Sequence, residues 1–457
     1  MRVSVVGTGY VGLVSGVCLA EKGHTVICVD NDADKVGRIA RGEVPIHEPG
    51  LDALMARQIG RRLQATTDLR RAVEDSELTL IAVGTPFDGR RIDLRYVRQA
   101  AREIGEAMGG KRDYHAVVVK STVVPGTTDG VVGPILEESS GRDRGAFGLG
   151  MNPEFLTEGR AVEDFMHPDR FVLGGADERT LDALEALYAP FPGVPTIRTN
   201  NATAEMIKYA SNALLATMIS FANEIANLGV AIGEIDGADV LDGVHRSLYL
   251  TVPGPDGRPT QAPIARFLEA GCGFGGSCLP KDVSALAAHG AALGRPMPLL
   301  EAVLATNREQ PGEVVALLRR RFPSLRGVRV AVLGLAFKPD TDDVRESPAF
   351  QVMRLLLAEG AVVSAHDPVA VPAARAAFAE GGVRYCEVLD DALADTDAIV
   401  LVTRWSAYER LPELLRGRDP APVVVDGRRM LDKRSLPRYE GIGLGRRNHA
   451  GQGKETP

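Results

Sequence analysis

The sequence predicts an α/β protein built from two doubly wound domains joined by a long central helix and a small helical region. Three observations predict it. Strand-like apolar runs alternate with helix-like stretches from the first residues onward. The same alternation begins afresh after about residue 321. Between the two lies a long stretch with helical periodicity and few breaks.

The elements follow in order. RVSVVG is a strand at once, and after GTGYVG a helix-like stretch runs to Lys22, where Gly23 ends it. TVICVD is the second strand, so the opening is a parallel strand–helix–strand unit. Further strands are expected at LTLIAVG, AVVVKSTVV and FVLGG, and the first domain spans 1–198. From Ala202 the texture changes: TAEMIKYASNALLATMISFANEIANLGVAIG is helical, broken only at Gly229 and Gly233. Its broad apolar face suits burial against another domain or another subunit. The Pro/Gly-rich stretch from Val252 to Pro263 reads as a loop. GCGFGGSCLPKD and more helix follow, closing a central region of 199–321. VRVAVLGLAF, AVVSAHDP, TDAIVLVT and PVVVDGR are the strands of a second doubly wound domain, 322–444. Its first helix, SPAFQVMRLLLAEG, has Ser347 as N-cap and Pro348 at the first helical position. The polar, glycine-rich tail 445–457 is expected to be disordered.

Composition narrows the classes. The chain has 457 residues, enough for two or three domains. With 45% hydrophobic and 25% charged residues, it reads as an ordinary globular protein. A formal charge of −7 without long runs of one sign argues against nucleic acid or a membrane surface as main partner. No stretch reads as long and apolar enough to span a bilayer, and none as a signal region. Five cysteines are too few and too odd in number for a disulfide framework, so the cytoplasm is the expected compartment. No metal is expected.

Gly7, Gly9 and Gly12 form a G-x-G-x-x-G pattern between a strand and a helix, and the next strand ends at Asp30. In that context the glycines permit a tight turn and close approach of the backbone to a pyrophosphate at a helix N-terminus. This is the fingerprint of a Rossmann-like domain. Asp30 is expected to hydrogen-bond both ribose hydroxyls and to repel a 2′-phosphate, which favours NAD over NADP. Gly84, Thr85 and Pro86 follow a strand and sit where the sheet's carboxyl edge faces a cofactor. Gly334 opens a similar turn without the full pattern, and holds either a second nucleotide or only the turn.

Cys278 lies in GFGGSCLPKD. Gly273, Gly275 and Gly276 allow close backbone approach, and Lys281 and Asp282 follow within a turn. A cysteine beside a lysine and a helix start can act as a nucleophile, or be inert and buried. Lys208 and Asn212 are one helical turn apart; they are either an oxyanion-stabilising pair or a solvated face. Glu154 and Glu158 are either a base and a sugar-binding group or surface carboxylates. Lys338 and Arg345 bind phosphate or belong to a charged loop.

The motifs GTGYVGLVSG, PIHEPGL, KSTVVPGTT, NPEFLTEG with DFMHPDR, EMIKYASNA, GFGGSCLPKD, FKPDTDDVRESP and VVVDGR occur in this order. Together they resemble the UDP-glucose/GDP-mannose dehydrogenase family over nearly the whole chain, to about Gly443. The resemblance implies two Rossmann-like domains, a long helix at a homodimer interface, NAD on the N-terminal domain and a nucleotide-sugar mainly on the C-terminal one. It implies oxidation of the sugar C6 alcohol to a carboxylate with two NAD per turnover, UDP-glucose being the first choice and dTDP-glucose or GDP-mannose the alternatives. A two-electron dehydrogenase of the 6-phosphogluconate or hydroxyacid type is a further alternative.

The resemblance also implies roles. Cys278 captures the aldehyde as a thiohemiacetal, which becomes a thioester. Lys208 and Asn212 stabilise the oxyanion. Thr122 and Asp282 hold an ordered water, and Glu158 or Glu154 assists hydrolysis. Tyr10, Val11, Lys35, Ser121, Thr122, Glu158, Lys281 and Arg345 join the cofactor set. Glu154, Phe155, Leu156, Glu158, Lys208, Asn212, Phe274, Gly275, Cys278, Phe337, Lys338 and Arg428 form the substrate set. Two places depart from the family pattern. The segment YLTVPGPDGRPTQAPIARFLEAG is enlarged where a basic segment is usual, with Arg258 or Arg266 as unplaced substitutes. Arg404 stands where an acidic residue is common.

Overall fold

The computed structural model describes residues 1–446. The chain forms two compact units. One comprises Met1–Ser211 with Ala288–Arg295, the other Asn212–Ala287 with the chain from Pro296 onward.

The first unit is built on eight strands: β1 (Arg2–Val6), β2 (Thr25–Val29), β3 (Leu63–Thr66), β4 (Leu78–Ile81), β5 (Ala116–Val119), β6 (Gly148–Met151), β7 (Phe171–Gly175) and β8 (Thr196–Thr199). Their order in the sheet is β3-β2-β1-β4-β5-β6-β7-β8. Every pairing is parallel except β6 with β7. Parallel strands are covered on both faces, which is why they read as continuous apolar runs. β5 illustrates this: Ala116 and Val118 enter one core with Leu13 and Leu51, while Val117 and Val119 enter another with Val97 and Ile104. The order reverses between β1 and β4, and crevices open at the carboxyl edge beside such a reversal.

The helix Asn201–Ile232 is 32 residues long and continuous. Gly229 does not break it, contrary to the sequence expectation. A Cβ there would lie 2.9 Å from Ile235 Cγ2, so the missing side chain admits the returning chain. The helix ends at Gly233, whose φ of +87° is left-handed. A second expectation also needs correcting. By length and composition this helix is apolar enough to cross a membrane. Its alanines, leucines and isoleucines make it so, while its polar groups bond to the protein: Ser220 Oγ donates to Val303 O at 2.9 Å and Asn223 Oδ1 accepts from Gly271 N at 2.7 Å.

In the second unit the stretch expected to be a loop contains a small hairpin, β9 (Thr251–Pro253) with β10 (Pro259–Gln261), antiparallel and largely exposed. Prolines sit at its ends, where no ladder donor is needed. The second sheet has β11 (Arg329–Leu333), β12 (Val362–His366), β13 (Val383–Cys386), β14 (Ala398–Leu401), β15 (Val423–Asp426) and β16 (Tyr439–Gly441) in the order β13-β12-β11-β14-β15-β16, all parallel. Ser347 caps the first helix of this sheet, its hydroxyl accepting from Ala349 N, with Pro348 at the first position. The tail was expected to lose order from Gly445. Gly445 N instead donates to Ile235 O at 2.8 Å, and Arg446 pairs with Glu440; positions 447–457 lie outside the described residues.

Candidate active site

A cavity of about 320 Å³ opens at the carboxyl edge of the first sheet. Gly7, Gly9, Asp30, Lys35 and Gly84 line it. The glycines divide the work. A Cβ on Gly7 would approach Ala82 O to 2.6 Å, and one on Gly12 would collide with the carbonyl of Gly7, so both are needed for the turn itself. A Cβ on Gly9 would meet no protein atom within 4 Å. Gly9 therefore leaves its space to the cavity, which is what a bound pyrophosphate requires. These residues fit a dinucleotide.

Asp30 Oδ2 accepts from Thr8 N, Thr8 Oγ1 and Lys35 Nζ at 2.8, 2.6 and 3.1 Å, and Oδ1 accepts from Asp32 N. Burial pushes its carboxyl up, but these bonds outweigh that and hold it below the usual range. The protein thus already occupies three acceptor positions on one oxygen. The expected grip on both ribose hydroxyls reduces to what Oδ1 has left.

The remaining expected cofactor residues divide. The Tyr10 hydroxyl turns away from this cavity, donating to Glu48 and accepting from Gly159 N. Val11 and Gly12 belong to the helix Tyr10–Glu21. Thr85 Oγ1 donates to Thr122 O at 2.9 Å and Ser121 Oγ to Val83 O at 2.7 Å, tying together the loops that carry Pro86 and Thr122. Lys281 and Arg345 belong to the other unit, paired with Asp282 and Asp343. Sequence reasoning missed Tyr96, Gln99 and Glu103, which line the cavity from one face of the helix Arg95–Met108. Their spacing was the available signal.

Glu154 is not a surface carboxylate. It is 7% exposed, in irregular backbone, so it shares no helical face with the half-buried Glu158. Lys208 Nζ lies 3.1 Å from its Oε1, and Leu156 N donates to its Oε2 at 2.7 Å. Phe155 stands between two cations, 4.2 Å from Arg170 and 5.4 Å from Lys208 Nζ. Lys208 is 4% exposed, so its alternative as part of a solvated face is excluded.

In the second unit Cys278 stands at the start of the helix Leu279–Ala292, its carbonyl accepting from Asp282 N at 2.8 Å. A helix N-terminus favours negative charge on a nearby sulfur. Cys278 is half-buried, whereas Cys18, Cys28, Cys272 and Cys386 are buried. Burial pushes the Cys18 and Cys28 thiols up to about 12, which leaves them inert. Asp282 is 1% exposed and receives Asn212 Nδ2 at 2.6 Å and Lys281 Nζ at 2.5 Å. A Cβ on any of the glycines before Cys278 would meet the protein's own chain: Gly273 faces Asn307, Gly275 the carbonyl of Glu346, and Gly276 the Phe337 ring.

A second cavity, about 300 Å³, is lined by Phe274, Gly275, Phe337, Lys338 and Arg428. Arg266, unplaced by the sequence, lines it too, as do Glu269 and Arg404. Arg404 pairs with Glu269 at 2.5 Å and donates to the Arg428 carbonyl at 2.5 Å. Four cations against one carboxylate suit a polyanion on an otherwise acidic protein.

Gly334 is a structural turn. A Cβ there would lie 2.6 Å from Thr403 N, and Asp367, which follows β12 as Asp30 follows β2, is saturated. Asp367 accepts from Leu335 N, Ala336 N, Val369 N, Ala370 N and Trp405 Nε1. No acceptor remains for a ribose.

Comparison with known proteins finds one family along the chain. Residues 1–192 match the NAD binding domain of the UDP-glucose/GDP-mannose dehydrogenase family, 202–309 its central domain and 331–433 its UDP binding domain. The chain is 43% identical over 451 residues to UDP-glucose 6-dehydrogenase AglM of Haloferax volcanii, covering 97% of this chain and 100% of that one. It is 39% identical over 414 residues to a GDP-mannose 6-dehydrogenase of Pseudomonas aeruginosa, covering 88% and 91%. A solved UDP-glucose dehydrogenase from Pyrobaculum islandicum superposes with a TM-score of 0.87 at 40% identity, covering 97% and 98%.

Proposed function

Because the chain belongs to the UDP-glucose/GDP-mannose dehydrogenase family, we propose that it oxidises the C6 hydroxyl of UDP-glucose to the carboxylate of UDP-glucuronate, reducing two NAD per sugar. The observation that carries this reading is Cys278 at a helix start, one turn before a buried Asp282 gripped by Asn212 and Lys281. A two-electron dehydrogenase has no use for that sulfur.

The first unit holds the dinucleotide against Gly7, Gly9, Asp30 and Lys35, and the second unit's basic cavity takes the nucleotide diphosphate. NAD supplies the hydride acceptor for both oxidations. Thr122 and Asp282, through a water, take the alcohol proton as the C6 hydrogen leaves with its electron pair, which gives the aldehyde. The Cys278 sulfur then bonds to the aldehyde carbon, the thiol proton passing to the oxygen, whose developing charge Lys208 and Asn212 stabilise. Loss of the carbon-bound hydrogen as hydride and of the hydroxyl proton from this thiohemiacetal leaves a thioester. Glu154 or Glu158 deprotonates the water that cleaves it, and the sulfur recovers its proton. The aldehyde stays bound throughout.

A panel of UDP-glucose, dTDP-glucose and GDP-mannose, scored by kcat/KM and NADH per sugar, tests this. Two NADH and preference for UDP-glucose are expected. One NADH per sugar overturns the chemistry, and preference for another donor overturns the substrate.

The same reading includes a homodimer built on the long helix. Leu214, Phe221, Leu228 and Ile232 recur there at intervals of seven, seven and four, and are 49–61% exposed. Light scattering of F221D is expected to give a monomer.

A further inference from the structure

Lys120 follows β5 directly and is 3% exposed. A lysine rarely ends so deep unless its charge is used. Its Nζ donates to Asn152 Oδ1 at 2.9 Å and to the Tyr188 oxygen at 3.5 Å. The Tyr188 hydroxyl donates to the same Asn152 oxygen at 2.5 Å, and Asn152 Nδ2 donates to Val172 O at 3.0 Å. All these partners are neutral. Asn152, which Lys120 holds, lies two residues before Glu154, whose negative charge favours the Lys120 ammonium while the like charge of Lys208 opposes it.

We propose that Lys120 is a positioning residue: through Asn152 it fixes the NPEFL loop, and its buried charge acts on Glu154, the base of the hydrolytic step. The inference rests on the thioester reading above. In that step the water oxygen bonds to the acyl carbon, one water proton passes to Glu154, the carbon–sulfur bond breaks and the Cys278 sulfur takes up a proton.

The charged groups divide simply within the first unit. Glu154 pairs with Lys208 from the long helix and feels the charge of Lys120 from the end of β5; Lys120 bonds to Tyr188 from the helix Glu178–Tyr188 and feels the like charge of Lys208. Burial alone would push the Glu154 carboxyl up. The Lys208 charge, the Leu156 N–H and the Lys120 charge together hold it below the usual range. Burial draws Lys120 itself down to about 8, so it remains an ammonium at pH 7.

The test uses the full chain and three variants: K120Q, which keeps hydrogen bonds to Asn152 and Tyr188 without charge; K120M, which keeps neither; and Y188F, which keeps the charge. Wild type must first yield two NADH per sugar; if it does not, the underlying reading has failed rather than this one. The readouts are the pH profile of kcat and the intact mass of acid-quenched enzyme. Both Lys120 variants are expected to move the acid limb up by about half a pH unit or more, because a carboxylate losing a nearby cation protonates more easily. Both are expected to accumulate enzyme acylated on Cys278, while Y188F leaves the limb in place. An unmoved limb in K120Q, or an equal shift in Y188F, overturns the role of the charge. If K120M does not fold, K120Q and Y188F decide alone.

Discussion

Asn212 Nδ2 donates to Asp282 Oδ2 at 2.6 Å, joining side chains that are 8% and 1% exposed. With Lys281 on the other oxygen, the carboxylate is held at a fixed angle one turn after Cys278. Removing the amide leaves a buried charge short of a partner. N212L is therefore expected to cost about 1–3 kcal/mol in urea denaturation. It is also expected to lower kcat/KM by at least about tenfold, because an interaction with the reacting oxygen goes with it.

Cys278→Ser keeps the size of the group but exchanges sulfur for a weaker nucleophile at neutral pH. Acid formation is expected to fall at least about 100-fold, while NAD binding measured by fluorescence stays as in wild type. A variant that still makes UDP-glucuronate at the normal rate would sink the thioester step.

Gly9 and Gly12 separate the turn from the ligand space. G12A meets the Gly7 carbonyl and is expected to unfold the nucleotide turn, lowering the Tm and abolishing NAD binding. G9A meets no protein atom, so its Tm is expected to stay near that of wild type while KM for NAD rises at least about tenfold. Equal Tm losses in both variants would contradict the assignment.

Asp236 caps the helix Gly237–His245 and receives a two-pronged grip from Arg429 at 2.7 and 2.8 Å, with Lys433 at 2.7 Å. Burial opposes its ionisation, but these cations hold it down to about 2. A depressed carboxylate contributes stability that is present above its unfolded value, near 3.8, and is lost as pH falls through about 2. D236N is expected to be less stable at pH 7 by on the order of 2 kcal/mol. Urea midpoints measured across pH should show that gap closing between about pH 4 and pH 2.

The fold was legible where the signals are local. Glycines at helix ends, apolar runs and the Ser347–Pro348 cap depend on neighbours a few residues away. Gly229 misled because it admits the close return of Ile235, six residues on, inside a helix that continues to Ile232. The site was legible around Cys278 because Lys281 and Asp282 sit in the same turn. Glu154 was not: its burial depends on Lys208, on the long helix. Lys120 lies in the motif KSTVVPGTT, where a lysine after an apolar strand looks, by sequence, like a return to solvent. Tyr96, Gln99 and Glu103 show their common face in the sequence, but nothing local says what that face looks at.

The long helix carries Glu205 three residues before Lys208. Glu205 is fully buried and accepts from Gly126 N, Thr128 N and Thr128 Oγ1 at 2.6, 2.8 and 2.6 Å. Lys208 reaches Glu154. Two distant loops are thus pinned to one rod at a separation of about 4.5 Å along its axis and within about 60° around it. Substitutions along this stretch change single contacts. An inserted or deleted residue would swing one anchor by about 100° relative to the other and release a loop outright. Between Glu205 and Lys208 the length of the chain, rather than its composition, is what variation and engineering must leave alone.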